Sequence, residues 1–189
     1  MTIASTGAPG LLSRRNFLYG AAVLPLYADH GRIRPPVPVP DVAVTRQDGT
    51  PETLPGLALD HATAVQLMFT GCSATCPIQA AIFQRVQSQI PQMAARKIQL
   101  LSLSVDPFAD TPAAMRAWLG RFQAGSNWFA AAPDIKDVPL LQDFFGRASG
   151  DYADHSTQVN IVDRQGRLVW RTIELPTAEE IAGVLQGLG

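Results

Sequence analysis

The chain predicts an α/β fold, a central mixed sheet flanked by helices with an N-terminal β-hairpin extension, and three observations carry that expectation. Residues 62–70 (ATAVQLMFT) and 97–105 (KIQLLSLSV) are apolar, β-rich runs, and each passes into a stretch with helical spacing. Residues 156–172 hold two further short runs around an Asp-Arg-Gln-Gly turn, the signature of a hairpin. Residues 176–188 then close the chain as a helix, so strands and helices alternate as they do when helices cover the faces of a sheet. With 189 residues, 47% of them hydrophobic, there is enough material for one cored domain and a leader. A formal charge of −1 gives no sign of a nucleic-acid or polyanion partner.

Residues 1–28 read as an export signal. Arg14 and Arg15 precede an apolar run from Phe17 to about Leu26, no acidic residue occurs before Asp29, and the run is too short to span a bilayer. The string Ser-Arg-Arg-Asn-Phe-Leu is similar to the twin-arginine signal of bacteria. Loss of these residues would remove two basic and no acidic groups, leaving 13 basic against 16 acidic residues. The expected compartment is the bacterial periplasm, an oxidising space in which free thiols are liable to pair. Residues 29–40, with RIRPPVPVP at their core, read as an extended proline-rich linker. The domain proper is expected over residues 41–189.

Within that domain, residues 41–54 alternate apolar and polar positions around Asp48-Gly49, a hairpin signal. The run 62–70 has the composition of a central strand and leads directly into Gly71. After Pro77, the residues Ile78, Ala81, Ile82, Val86 and Ile90 recur at spacings of three and four, the stripe of an amphipathic helix. Pro77 suits the first helical turn, where its missing N–H costs nothing. Residues 97–105 form the next strand, followed by a turn and a helix with Thr111 as N-cap and Pro112 first. A weaker helix covers 138–145. Thr177 and Glu180 are spaced as a capping box ahead of the last helix. A strand running into cysteines at a helix start, with a late hairpin and a final helix, makes a thioredoxin-like fold the economical arrangement.

The two cysteines of the chain, Cys72 and Cys76, lie in GCSATCPIQ where the strand hands over to the helix. Their three-residue spacing is one longer than in the usual C-x-x-C redox and zinc motifs. Four positions apart at a helix start, the two side chains can face the same way, and the helix N-terminus favours a thiolate. A small-loop disulfide, a thiol redox pair and part of a metal site all remain open on spacing alone. Of the three histidines, His30 falls at the leader boundary and His61 precedes the central strand as a surface residue. His155 lies in a polar loop beside Asp154, immediately before the late hairpin. Two thiolates and one imidazole would make a soft, low-coordinate site of the kind that selects Cu(I), whereas zinc usually wants a fourth ligand. Asp106 and Asp110 read as turn and capping residues, Asp154 as loop polarity or a partner that orients His155, and Trp118, Trp128 and Trp170 as packing.

Three segments together resemble the Sco/SenC copper-chaperone family: C-x-x-x-C-P at Cys72, Cys76 and Pro77, SVDPFADTP at 104–112, and DHS at 154–156 followed by a strand and the DRQG turn. The chain departs from the family at Ser73, where proline is usual, and at Asn160, where an aromatic residue is usual. The resemblance implies a thioredoxin-like domain that binds copper, as Cu(I) and in a second state Cu(II), through Cys72, Cys76 and His155. It implies a metallochaperone more than an enzyme, with no catalytic residue or other cofactor. The expected partner is a copper-receiving protein such as cytochrome c oxidase subunit II, whose binuclear copper centre the family helps to assemble. A monomer is expected, meeting the membrane only through that recipient or an uncleaved leader. The competing expectation is a thiol–disulfide oxidoreductase that cycles Cys72 and Cys76 and needs His155 only to tune a thiol.

Overall fold

The computed structural model describes residues 31–146, 157–172 and 175–189. The expected leader, His30, Asp154, His155 and Ser156 lie outside the described residues. Eight strands form one sheet: β1 (Arg32–Pro38), β2 (Ala43–Arg46), β3 (Pro51–Thr53), β4 (Ala62–Met68), β5 (Ile98–Ser104), β6 (Trp128–Pro133), β7 (Val159–Val162) and β8 (Arg167–Arg171). Their order is β1-β8-β7-β4-β5-β6-β2-β3. Five helices accompany them: α1 (Leu54–Ala58), α2 (Thr75–Gln89), α3 (Pro112–Arg121), α4 (Val138–Phe145) and α5 (Ala178–Gln186). β4, β5 and β6 run parallel, and the other pairings are antiparallel, so the sheet is mixed as expected.

The pleat divides the core in two. On one face Ala62, Ala64 and Met68 of β4 and Ile98 and Leu100 of β5 pack with Phe83 and Val86 of α2, Met115 and Trp118 of α3, and Ile181 and Leu185 of α5. On the other face Val65, Leu67, Leu101 and Leu103 pack against Leu54, Leu57, Leu141 and Phe145 of α1 and α4. Every residue of β4 and β5 is buried, which is why both read as continuous apolar runs. The three tryptophans are core, as expected, and Trp118 meets Trp128 edge-on at 6.2 Å.

The hairpin around Asp48-Gly49 forms, and β2 seats it on β6, so the N-terminal extension continues the main sheet. Both helix N-caps foreseen are made: Thr111 accepts from the Ala114 N–H, and Thr177 from that of Glu180. Residues 32–38, expected as a spacer, are extended but also pair with β8 at the sheet edge, a position that tolerates prolines because one side needs no N–H donors. The sequence reading lacked β6 altogether. Its WFAAAP composition has no β-branched residue, and only burial between β5 and β2 makes it a strand.

The apolar stripe of α2 needs correcting. The buried positions are Cys76, Gln79, Ala80, Phe83 and Val86, whereas Ile78 and Ala81 are exposed and Ile82 only partly buried. Burying the large Phe83 ring, which stacks edge-on with Trp128 at 5.7 Å, turns the helix so that Cys76 faces the core. Of the expected stripe Ile78, Ala81, Ile82, Val86 and Ile90, only Val86 and Ile90 are buried, because the spacing of aliphatic residues left Phe83 out of account.

Candidate metal centre

The central strand β4 ends at Met68, and the chain turns through Gly71 before α2 begins at Thr75. The Cys72 N–H donates to the Phe69 carbonyl at 3.1 Å, which closes this turn. Ala74, at the N-cap, has no side chain able to satisfy the first N–H groups of α2. The Cys72 sulfur does so instead, accepting from the Cys76 N–H at 3.4 Å. Both cysteines are free thiols and both are buried, Cys76 more completely.

The two thiols are chemically unequal. Burial works to raise Cys72, but the Cys76 thiol and the N–H groups of Cys76, Ala74 and Thr75 all donate to it, and together they hold it below the ordinary value. Burial, and then the hydrogen bond given to Cys72, push Cys76 up to about 12. The helix start therefore favours a thiolate, as expected, but for Cys72 only. In this arrangement Cys72 is the more acidic thiol and Cys76 the one that holds its proton.

The segment from Ser104 to Pro112 packs directly behind this turn. Asp110 is buried, and its carboxylate accepts from the Thr70 N–H at 2.8 Å, the Thr70 hydroxyl at 2.6 Å and the Ser104 hydroxyl at 2.6 Å. Ser104 in turn accepts from the Asp106 N–H at 3.0 Å. The place of Asp110 in the sequence predicts a turn and capping residue. The turn is real, since the Asp110 N–H donates to the Asp106 carbonyl, but the side chain is spent on the cysteine loop.

Beside the cysteines, Gln79, one helical turn beyond Cys76, donates to the Gln158 carbonyl at 3.4 Å. Farther along, Asn160 donates to the Phe145 carbonyl at 3.0 Å and accepts from the Arg171 Nε at 2.7 Å, while Arg171 also donates to the Phe144 carbonyl. Two side chains of β7 and β8 thus satisfy the last carbonyls of α4. Sequence reasoning missed Gln79 and Arg171. Only the departure from the family at Asn160 signalled that this position does something particular.

His61 is a partly buried residue at the amino end of β4, its Nδ1 3.1 Å from the Leu59 carbonyl, and so sits at the end of the sheet away from the cysteines. Asp106 stays in its turn. Among the described residues no group of three or more His, Cys, Asp or Glu side chains gathers around a common point. The structure therefore brings Cys72 and Cys76 together, while His155 and Asp154 lie outside its described residues. No helix among those residues is long and apolar enough to cross a membrane.

The family model described as SCO1/SenC matches residues 44–188. A Stutzerimonas stutzeri protein named "Putative copper-binding protein" is 26% identical over 108 residues, covering 53% of this chain and 52% of that one, so the chain spans about half the length of this curated relative. A SCO1/SenC family lipoprotein from Bacillus anthracis superposes with a TM-score of 0.70 at 23% identity, over 82% of this chain and 98% of that one. The Bradyrhizobium japonicum ScoI structure with copper bound gives 0.67 at 25% identity, over 81% and 100%. The expected thioredoxin-like fold is the fold that these structures share with the chain.

Proposed function

The chain belongs to the SCO1/SenC family, and from that premise we propose that it is a periplasmic copper-binding metallochaperone whose cargo is held by the Cys72 and Cys76 thiolates and the His155 imidazole. The single observation that carries this reading is the pair of free thiols at the start of α2, linked through the Cys76 N–H and the Cys72 sulfur at 3.4 Å. Two thiolates suit Cu(I), the soft ion that such donors select. Cys72, held below the ordinary thiol value, gives up its proton the more readily of the two. Cys76 gives up its proton on loading, because a coordinating thiol is deprotonated.

The reach of the chain supports His155 as third ligand. Gln158 is hydrogen-bonded to Gln79, and Gln79 lies about 4.5 Å beyond Cys76 along the helix at 1.5 Å per residue. His155 is three residues from Gln158, a span of at most about 10 Å. Two thiolates and an imidazole leave copper open to an incoming thiol, so ligand exchange can pass it to a thiol-rich recipient. Assembly of the binuclear copper centre of cytochrome c oxidase, with its subunit II as recipient, is the role this chemistry fits. Export by the twin-arginine-like leader would deliver the domain folded, with its thiols already in place.

The test is an anaerobic Cu(I) titration of the reduced protein against a competing chelator, wild type beside Cys72→Ala, Cys76→Ala and His155→Ala. Tight one-to-one binding that weakens sharply in all three variants is expected. The unequal acidity of the thiols favours one second reading, a thiol–disulfide reductant in which Cys72 attacks and Cys76 resolves. Copper binding indifferent to His155, with a working disulfide cycle in the His155→Ala protein, would select it and end the chaperone reading.

A further inference from the structure

We propose that Asp110 is a positioning residue for the cysteine pair, holding Cys72 where the N–H of Cys76 meets its sulfur. The inference rests on the reading above that Cys72 and Cys76 are the reacting groups. Asp110 lies 34 positions from Cys76 in the chain, and nothing about a turn requires its side chain to be buried. A buried carboxylate is costly to desolvate and persists only when its oxygens are satisfied. Here both are, by donors from two different segments. Oδ1 takes the N–H and the hydroxyl of Thr70, and Oδ2 takes the hydroxyl of Ser104.

The two hydroxyl bonds, each 2.6 Å, lie at the short end of the range for O–H···O hydrogen bonds. Thr70 is two residues ahead of Cys72, in the turn that the Cys72 N–H closes onto Phe69. Ser104 ends β5, directly beside Met68 in the parallel register. The Val105 N–H donates to the Met68 carbonyl at 2.9 Å, so the pairing of β5 with β4 continues to the point where β4 ends. Asp110 therefore ties the start of the cysteine turn to the rigid end of the neighbouring strand. α2 holds Cys76 through its own hydrogen bonds. Cys72 precedes the helix and depends on the turn, and hence on Asp110.

Two consequences separate positioning from mere anchoring. A site whose first ligand is no longer held pays to order it on binding, so Asp110→Asn should weaken Cu(I) binding by about 10- to 100-fold, as loss of the partners behind metal ligands does. Asn keeps the volume and one acceptor but presents an N–H₂ group to a hydroxyl that now donates. The second consequence needs no copper. The thiols are free in this geometry, and closing a disulfide draws the sulfurs to about 2.05 Å, a movement that the clamp on Thr70 resists. Freed of it, the pair should form the disulfide several-fold more readily. In exchange with dithiothreitol, the reagent takes up or releases the two electrons and two protons.

The experiment measures three things on the full chain for wild type, Asp110→Asn and Asp106→Asn: thermal unfolding of the reduced protein, Cu(I) affinity against a chelator, and the dithiol–disulfide equilibrium with dithiothreitol. Asp106→Asn alters the same turn without touching Thr70 and is expected to match wild type in both site readouts. Asp110→Asn is expected to stay folded, to bind Cu(I) 10- to 100-fold more weakly and to shift toward the disulfide. Both readouts within twofold of wild type would overturn the proposal. Should Asp110→Asn fail to fold, Thr70→Val and Ser104→Ala each remove one hydroxyl donor and replace it in the test, with the same criterion. If wild type binds no copper, the chaperone reading fails by itself, and the disulfide equilibrium still decides the role of Asp110.

Discussion

Alkylation at Cys72 and Cys76 should separate by orders of magnitude, and Cys76→Ala shows why. The thiolate is the attacking form, so relative rates follow thiolate fraction and access. At pH 8 a thiol near 12 is only about 0.01% ionised. Cys72 is held below the ordinary value of 9.0, so at least about a tenth of it is thiolate at that pH. The ratio is about a thousand or more before access is counted, and access acts in the same direction because Cys76 is 1% and Cys72 8% exposed. Brief iodoacetamide treatment of the reduced protein, followed by peptide mass spectrometry, should therefore place the label on Cys72. Cys76 should be labelled only after denaturant is added. In Cys76→Ala the thiol donor to Cys72 is lost, and burial then weighs more, so the Cys72 rate near pH 7 should fall. Cys76→Ser keeps a hydroxyl donor and should lose less. Equal rates at the two native cysteines, or a faster Cys76, would refute the assignment of Cys72 as the thiolate and Cys76 as its donor.

Further predictions concern stability. Cys76 is raised in the folded state to about 12 from 9.0, so it binds its proton more tightly there than when unfolded. The stability it contributes is complete below pH 9 and is lost as pH climbs from 9 toward 12, with a limiting slope of about 1.4 kcal/mol per pH unit. Between pH 9.5 and 10.5, urea unfolding should show wild type losing about 1 kcal/mol more than Cys76→Ala. Parallel losses would mean that Cys76 is not raised. Asn160→Ala strands the carbonyl of buried Phe145 and leaves the partly buried Arg171 Nε without this acceptor, and should cost about 1–3 kcal/mol. A double-mutant cycle with Arg171→Ala should be strongly non-additive, and simple additivity would show that the two side chains do not act together.

The alternation of strands and helices, both hairpins, the caps Thr111 and Thr177, and the placing of two cysteines where a strand meets a helix were all legible in the order of the residues. Those are local matters, legible in apolar runs, turn residues and cap chemistry within a few positions of one another. The chain's three motif segments also pointed to the family that the match over residues 44–188 then showed. The tertiary structure alone decided what depends on partners far along the chain. WFAAAP becomes β6 only because β5 and β2 flank it, and the proline-rich 32–38 becomes an edge strand only because β8 is beside it. The helix α2 turns inward on Cys76 and Ala80 because Phe83 finds Trp128, 45 positions away. That rotation buries Cys76 and makes the two thiols unequal, a difference no spacing rule contains. Asp110 was visible as an acidic residue in a turn, but its task was not, because hydrogen-bond partners are chosen by packing. A residue's chemistry is written in the sequence; the dielectric and the donors that tune it exist only once the chain has folded around it.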